Sequence, residues 1–96
     1  MKKVIICLFI ILIGANIAYA GQQQEFTTKS LKQFNGKKGQ PAYIAVDGVV
    51  YDVSKVWHNG EHNGYYAGND LSVPIRKYPT MRENLKKVPV VGKFKP

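Results

Sequence analysis

Cysteine is nearly missing from this chain, with one copy, Cys7, inside an apolar N-terminal stretch. Past that stretch there can be no disulfide, no thiolate centre and no attachment of a cofactor through paired cysteines. Acidic side chains are also scarce, 6 against 14 lysines and arginines. They show no pairing pattern, and neither a nucleophilic serine elbow nor a cysteine nucleophile accompanies them. No catalytic constellation results, and the chain is not expected to be an enzyme. Histidine occurs only at positions 58 and 62, and tryptophan only at 57.

What is present begins with a leader. Lys2 and Lys3 supply a positive start, Val4 to Ile13 form an unbroken apolar run, and Ala18-Tyr19-Ala20 fits a small-x-small cleavage site. Residues 1–20 therefore read as a secretory signal and Gly21 as the first mature residue. The run is nearer signal-core length than the roughly 20 residues of a membrane span. An uncleaved anchor over Val4 to Ala20 is the alternative. Cys7 lies too far from the cleavage site to be a lipid-modified first residue. The expected location is periplasmic or extracellular, or membrane-anchored if the signal stays.

The remaining 76 residues make one domain. A chain of that size buries only about 60–65% of its unfolded surface, and small exported domains are often stapled by disulfides. This one must rely on its core and on a ligand. Without Lys2 and Lys3 it carries 12 basic against 6 acidic residues, a net charge of +6. The lysines are scattered over every segment and no basic helix emerges, so nucleic acid is not an expected partner. A solvated surface on a monomer is expected, with an acidic redox partner or an anionic membrane surface as the sharper alternative.

Residues 21–25 read as a flexible lead, and order begins at Phe26. Thr27 or Thr28 can cap a short helix to about Phe34, which Asn35-Gly36 stops. Pro41 to Val46 and Val49 to Val53 read as strands joined by a hairpin at Asp47-Gly48. Ser54 can cap a single turn holding Val56 and Trp57. His58 to Gly64, with two glycines, two asparagines and both histidines, reads as an irregular loop. Ser72 is the expected N-cap of a helix ending near Tyr78, with Pro74 in its first turn. Thr80-x-x-Glu83 is a capping-box pattern for a further helix to about Lys87. Pro89 to Phe94 is a closing extended segment. The order suggests an α+β domain, a small mixed sheet with short helices at one end.

Several stretches carry a resemblance in order and spacing. They are Phe26-Thr27 with Leu31 to Gly36, Pro41 to Val53, Ala67-Gly68-Asn69-Asp70-Leu71-Ser72, and Pro89-Val90-Val91-Gly92-Lys93. Together they resemble the cytochrome b5-like family, in particular its small exported prokaryotic members, which are related to the membrane-associated progesterone receptor group. The likeness spans Phe26 to Phe94. It implies a crevice between helices, floored by the sheet, that holds a non-covalent b-type haem. In such members an axial histidine lies in a Trp-x-Asn-Gly-x-His-x-Gly loop, matched here by Trp57 to Gly64 with His62 as the ligand. A neutral imidazole suits iron, and a glycine-rich loop can bring backbone close to a flat cofactor.

The chain departs from the family where a second axial histidine commonly sits in Ser-Pro-His, since Tyr78-Pro79-Thr80 stands there instead. The second ligand is left open among Met81, Tyr78, His58 or none, with Tyr65 and Tyr66 as further candidates on the analogy of the progesterone-receptor-like relatives. His58 is otherwise a surface residue or a neighbour of the ligand. Arg76, Lys77 and Lys86 are candidates to pair with haem propionates. Two functions follow as expectations. One is an exported haem protein, with electron transfer if iron takes two protein ligands. The other is a module of the same fold that binds a small hydrophobic ligand or a protein partner without haem.

Overall fold

The computed structural model describes residues 24–96, so the expected leader, with Cys7 and the junction before Gly21, lies outside it. In chain order the elements are β1 (Gln24–Phe26), α1 (Thr28–Leu31), β2 (Tyr43–Val46), β3 (Val49–Asp52), β4 (Glu61–His62), β5 (Tyr65–Tyr66), α2 (Ser72–Arg76), α3 (Pro79–Asn84), a 3-10 turn (Leu85–Lys87) and β6 (Val90–Phe94). Four strands form one mixed sheet in the order β1-β6-β3-β2, and β4 and β5 make a separate small hairpin. The α+β expectation, a small mixed sheet with short helices, agrees with this architecture.

The sheet is organised by one turn. Asp47 (φ 50°) and Gly48 (φ 82°) both adopt left-handed backbone, the geometry of a two-residue hairpin whose twist suits its strands. The register Val46↔Val49 follows, and period-two alternation then sorts the side chains. Ile44 and Val46 face one side with Val53, Trp57, Ala67, Leu71, Ile75 and Leu85. Ala45 and Val50 face the other with Phe26 and Leu31. Along its outer edge β2 is sealed by residues 68–71: Gly68 N–H donates to the Tyr43 carbonyl (2.7 Å), and Leu71 N–H to that of Ala45 (2.8 Å). A covered edge offers no template for another strand.

Four expectations need correction. Gln24 and Glu25 are not part of a flexible lead but pair in parallel with β6, Gln24 opposite Gly92. Gly92 permits this, because a Cβ there would collide with the Gln24 carbonyl and come within 2.7 Å of the Phe26 ring. The first helix is shorter than predicted, ending at Leu31, although Thr27 caps it in a reciprocal box with Ser30 (3.1 and 2.9 Å). Ser72 is not an N-cap. It is the buried first residue of α2, donating to Asp70 Oδ1 (2.5 Å) and accepting from Asp47 N–H (2.7 Å), so it ties the helix to the sheet's turn. Finally, Thr80 and Glu83 form no capping box. Pro79 holds the first position of α3 with its preset φ, and Glu83 reaches Lys86 instead (3.0 Å).

Candidate functional site

Residues 58–64 are more regular than an irregular loop. Asn59-Gly60 (φ 50°, 75°) and Asn63-Gly64 (φ 51°, 84°) make two tight turns in succession. Between them His58 and Glu61 exchange backbone hydrogen bonds (3.1 and 2.9 Å), and β4 pairs with β5, His62 opposite Tyr65. The hairpin is fastened from behind. A Cβ on Gly60 would strike the Asn35 carbonyl, and one on Gly36 would stand 2.8 Å from Gly60 Cα. The Ala67 N–H also donates to the Gly60 carbonyl (2.7 Å). The close approach that glycine permits here is therefore between two backbone segments of the chain, while the space around Gly64 is open.

This anchoring presents His62, half-buried, with its ring stacked on buried Trp57 at 5.6 Å and 26°. The Asn63 side-chain amide lies 3.3 Å from His62 Nε2. An amide N–H can donate to that atom when it carries the lone pair.

His62 lines a cavity of about 40 Å³ with Val53, Val56, Trp57, Ile75, Met81, Asn84, Leu85 and Val88. Its mouth widens by the same histidine and tryptophan to about 210 Å³, rimmed by Asn84 and Lys87. The inner part has room for a few waters, and both volumes fall short of the roughly 300–1,000 Å³ of typical ligand pockets. A larger ligand needs the walls to part. The helical wall is the lighter one: in α3 every residue except Met81 is exposed, and Met81 itself is half-buried. A larger open cleft, about 550 Å³, lies along Val46, Val49, Tyr51, Arg82, Lys86 and Val90. It has no imidazole or thioether in its lining, so chemistry favours the smaller cavity.

The structure brings His62 and Met81 to one cavity and leaves the other candidates out of its lining. His58 is exposed, its ring 3.4 Å from the Asn59 amide, and is corrected to a surface residue. Tyr65 and Tyr78 pair with each other, ring centres 6.4 Å apart. The Tyr78 hydroxyl, then burial, push the Tyr65 phenol above its ordinary value of 10.0. Tyr66 lines a different cleft with Lys32, Asn35 and Lys37. Arg76 already holds Asp47 (2.8 Å) and Lys86 holds Glu83, while Lys77 is exposed and absent from the rim. Lys87 and Asn84 were missed as rim residues. For Asn84 the signal was the spacing Met81, Asn84, Leu85, Val88, one helical stripe continued through the 3-10 turn, a stripe that does not include Lys87.

Among the described residues no group of three or more His, Cys, Asp or Glu could hold a metal ion. One imidazole and one thioether are too few donors for a bare ion. They suit a metal that brings its own equatorial nitrogens, as haem iron does, and the apolar lining is of the kind a macrocycle needs once the walls part to admit it.

The family described as cytochrome b5-like haem/steroid binding domain matches residues 27–95. A solved cytochrome b5 domain protein of Methanococcoides burtonii is 40% identical over 75% of this chain and 97% of its own, with a TM-score of 0.71. A second, from Hadesarchaea, is 43% identical over 76% of this chain and 100% of its own, with a TM-score of 0.69. An Arabidopsis thaliana protein with a cytochrome b5-like fold, 24% identical over 79% of this chain and 94% of its own, shares the fold at a TM-score of 0.56. No curated protein matches. With a family model matching residues 27–95 and two archaeal domains at least 40% identical and covered over nearly their whole length, the chain belongs to the cytochrome b5-like haem/steroid-binding domain family.

Proposed function

We propose that this chain is an exported binding protein that takes a non-covalent b-type haem into the crevice, with His62 as an iron ligand. The observation that carries the reading is the half-buried imidazole of His62, stacked on Trp57 and lining an apolar cavity. When bound, haem supplies a redox-active iron whose behaviour is set by its axial ligands and surroundings. His62 offers a neutral lone pair, and Trp57 fixes the plane of its ring. Val53, Ile75 and Leu85 exclude water, and Asn84 with Lys87 stands at the rim where the acid groups of a haem would reach solvent. Export rests on the leader sequence, and electron transfer, to an acidic partner or beside an anionic surface, on iron having two protein ligands.

Titrating the purified chain with haemin tests the reading. A Soret band saturating at one haem per chain is expected, and His62→Ala should lose it while the apo fold keeps its circular dichroism. The narrowness of the cavity supports a second reading, a module of the same fold for a smaller apolar ligand or a protein partner. Protein that stays colourless in excess haemin decides for that one. Intact mass after expression in a secreting host tests export: loss of residues 1–20 is the expected result.

A further inference from the structure

We propose that Met81 is the second iron ligand, giving the haem of the reading above a His62/Met81 axial pair. Three observations carry this. First, α3 buries one side chain in part: Met81 is half-buried, whereas Thr80 and Arg82 on either side are exposed, as is Asn84 at the cavity's rim. Second, Met81 and His62 reach one cavity from different elements, the helix and the β4–β5 hairpin, which is what a flat ligand held between two walls requires. Third, the lining contains no other donor that iron would choose. Its one further polar side chain is the amide of Asn84, and no carboxylate or hydroxyl faces the cavity. Thr80, the residue before Met81, is exposed and lines neither cavity nor mouth.

A methionine among aliphatic neighbours can also be a mere gap-filler, soft and easily replaced. The two roles separate at the sulfur. A thioether is a neutral ligand, and paired with histidine it holds iron at a higher reduction potential than two imidazoles do. A gap-filler has no spectroscopic consequence.

The chain contains two methionines, Met1 and Met81, which makes a direct measurement practicable. The full chain, labelled with methyl-13C methionine, is loaded with haem, reduced, and examined by NMR and by electronic absorption. One methionine methyl signal, absent in Met81→Leu, should be moved far upfield by the porphyrin ring current, and the iron should be low-spin. Met81→Leu changes the volume little, and should keep the apo melt and the haem while turning the iron high-spin and open to added carbon monoxide. Met81→His should restore low-spin iron at a lower potential than the parent. Thr80→His should leave the spectrum unchanged, since that position faces water.

Haem uptake with the Met81 methyl unmoved, or low-spin iron persisting in Met81→Leu, overturns the pair and leaves the haem reading intact. A low-spin Thr80→His variant whose methyl signal returns to its free position also overturns it. A parent chain that takes up no haem overturns both.

Discussion

The two faces of the sheet are built on opposite plans. On one, Phe26 meets Phe34 and Tyr43 edge-on, at 5.6 Å and 5.7 Å, while Phe34 and Tyr43 stack at 4.7 Å. Leu31, Ala45 and Val50 complete that cluster, each essentially inaccessible. On the other, the aliphatics of β2 support two short helices, and a gap remains between Met81 and His62. Aromatic pairs in edge-on and stacked arrangements add stability beyond their buried area. An unfilled slot lined by apolar groups forfeits contact energy. The difference is one of filling: one face is closed by packed aromatics, while the other, with the larger set of buried side chains, keeps a slot among them.

The largest effect should come from the closed face. Phe26→Ala is expected to cost about 3–5 kcal/mol, a large part of the roughly 5–15 kcal/mol that a whole domain commands. Val56→Ala, at a cavity-lining position that is 60% exposed, should shift stability by no more than about 0.5 kcal/mol. Urea unfolding of both variants measures the contrast, and equal losses would erase the distinction between the faces. Next in size is the ligand. Haem at 100 times its dissociation constant should add about 2.7 kcal/mol and raise the melting temperature by several degrees or more. That gain should vanish in His62→Ala and survive any exposed substitution on the closed side.

The smallest effect concerns alkali. Burial first, and the Asp52 carboxylate second, hold the Tyr43 phenol above its ordinary value of 10.0. A proton held more tightly in the folded state gives stability that is complete below the unfolded value and lost as pH rises through the folded one. Stability should therefore decline above about pH 10, and Tyr43→Phe should flatten that decline. A pH profile unaltered by the substitution would mean that the closed face admits the phenolate freely.

The β2–β3 hairpin was legible because Asp47-Gly48 stands between two runs long enough to show alternation. The same chemistry at Asn63-Gly64 went unread, since its flanking strands are only Glu61-His62 and Tyr65-Tyr66, too short for any period to emerge. Gln24 and Glu25 have little intrinsic preference for extended structure. They become a strand because Gly92, nearly 70 residues on, leaves room for them, and no local window contains that information. At the site, His62 was found through its loop, and Met81 was one name among several. What separates it from Thr80 is its position in α3, which Pro79 starts two residues before the capping pattern would have it.

The parallel pairing of β1 with β6 has a consequence for how the domain is carried. In the order β1-β6-β3-β2, the strand that receives the chain is the outermost, two places from β3, and the crevice rests on the β2–β3 half. Residues ahead of Gln24 are thus joined at the sheet edge opposite β2, the strand that helps floor the crevice. A carrier fused at Gln24 would therefore enter beside β1 rather than beside the strands under the crevice.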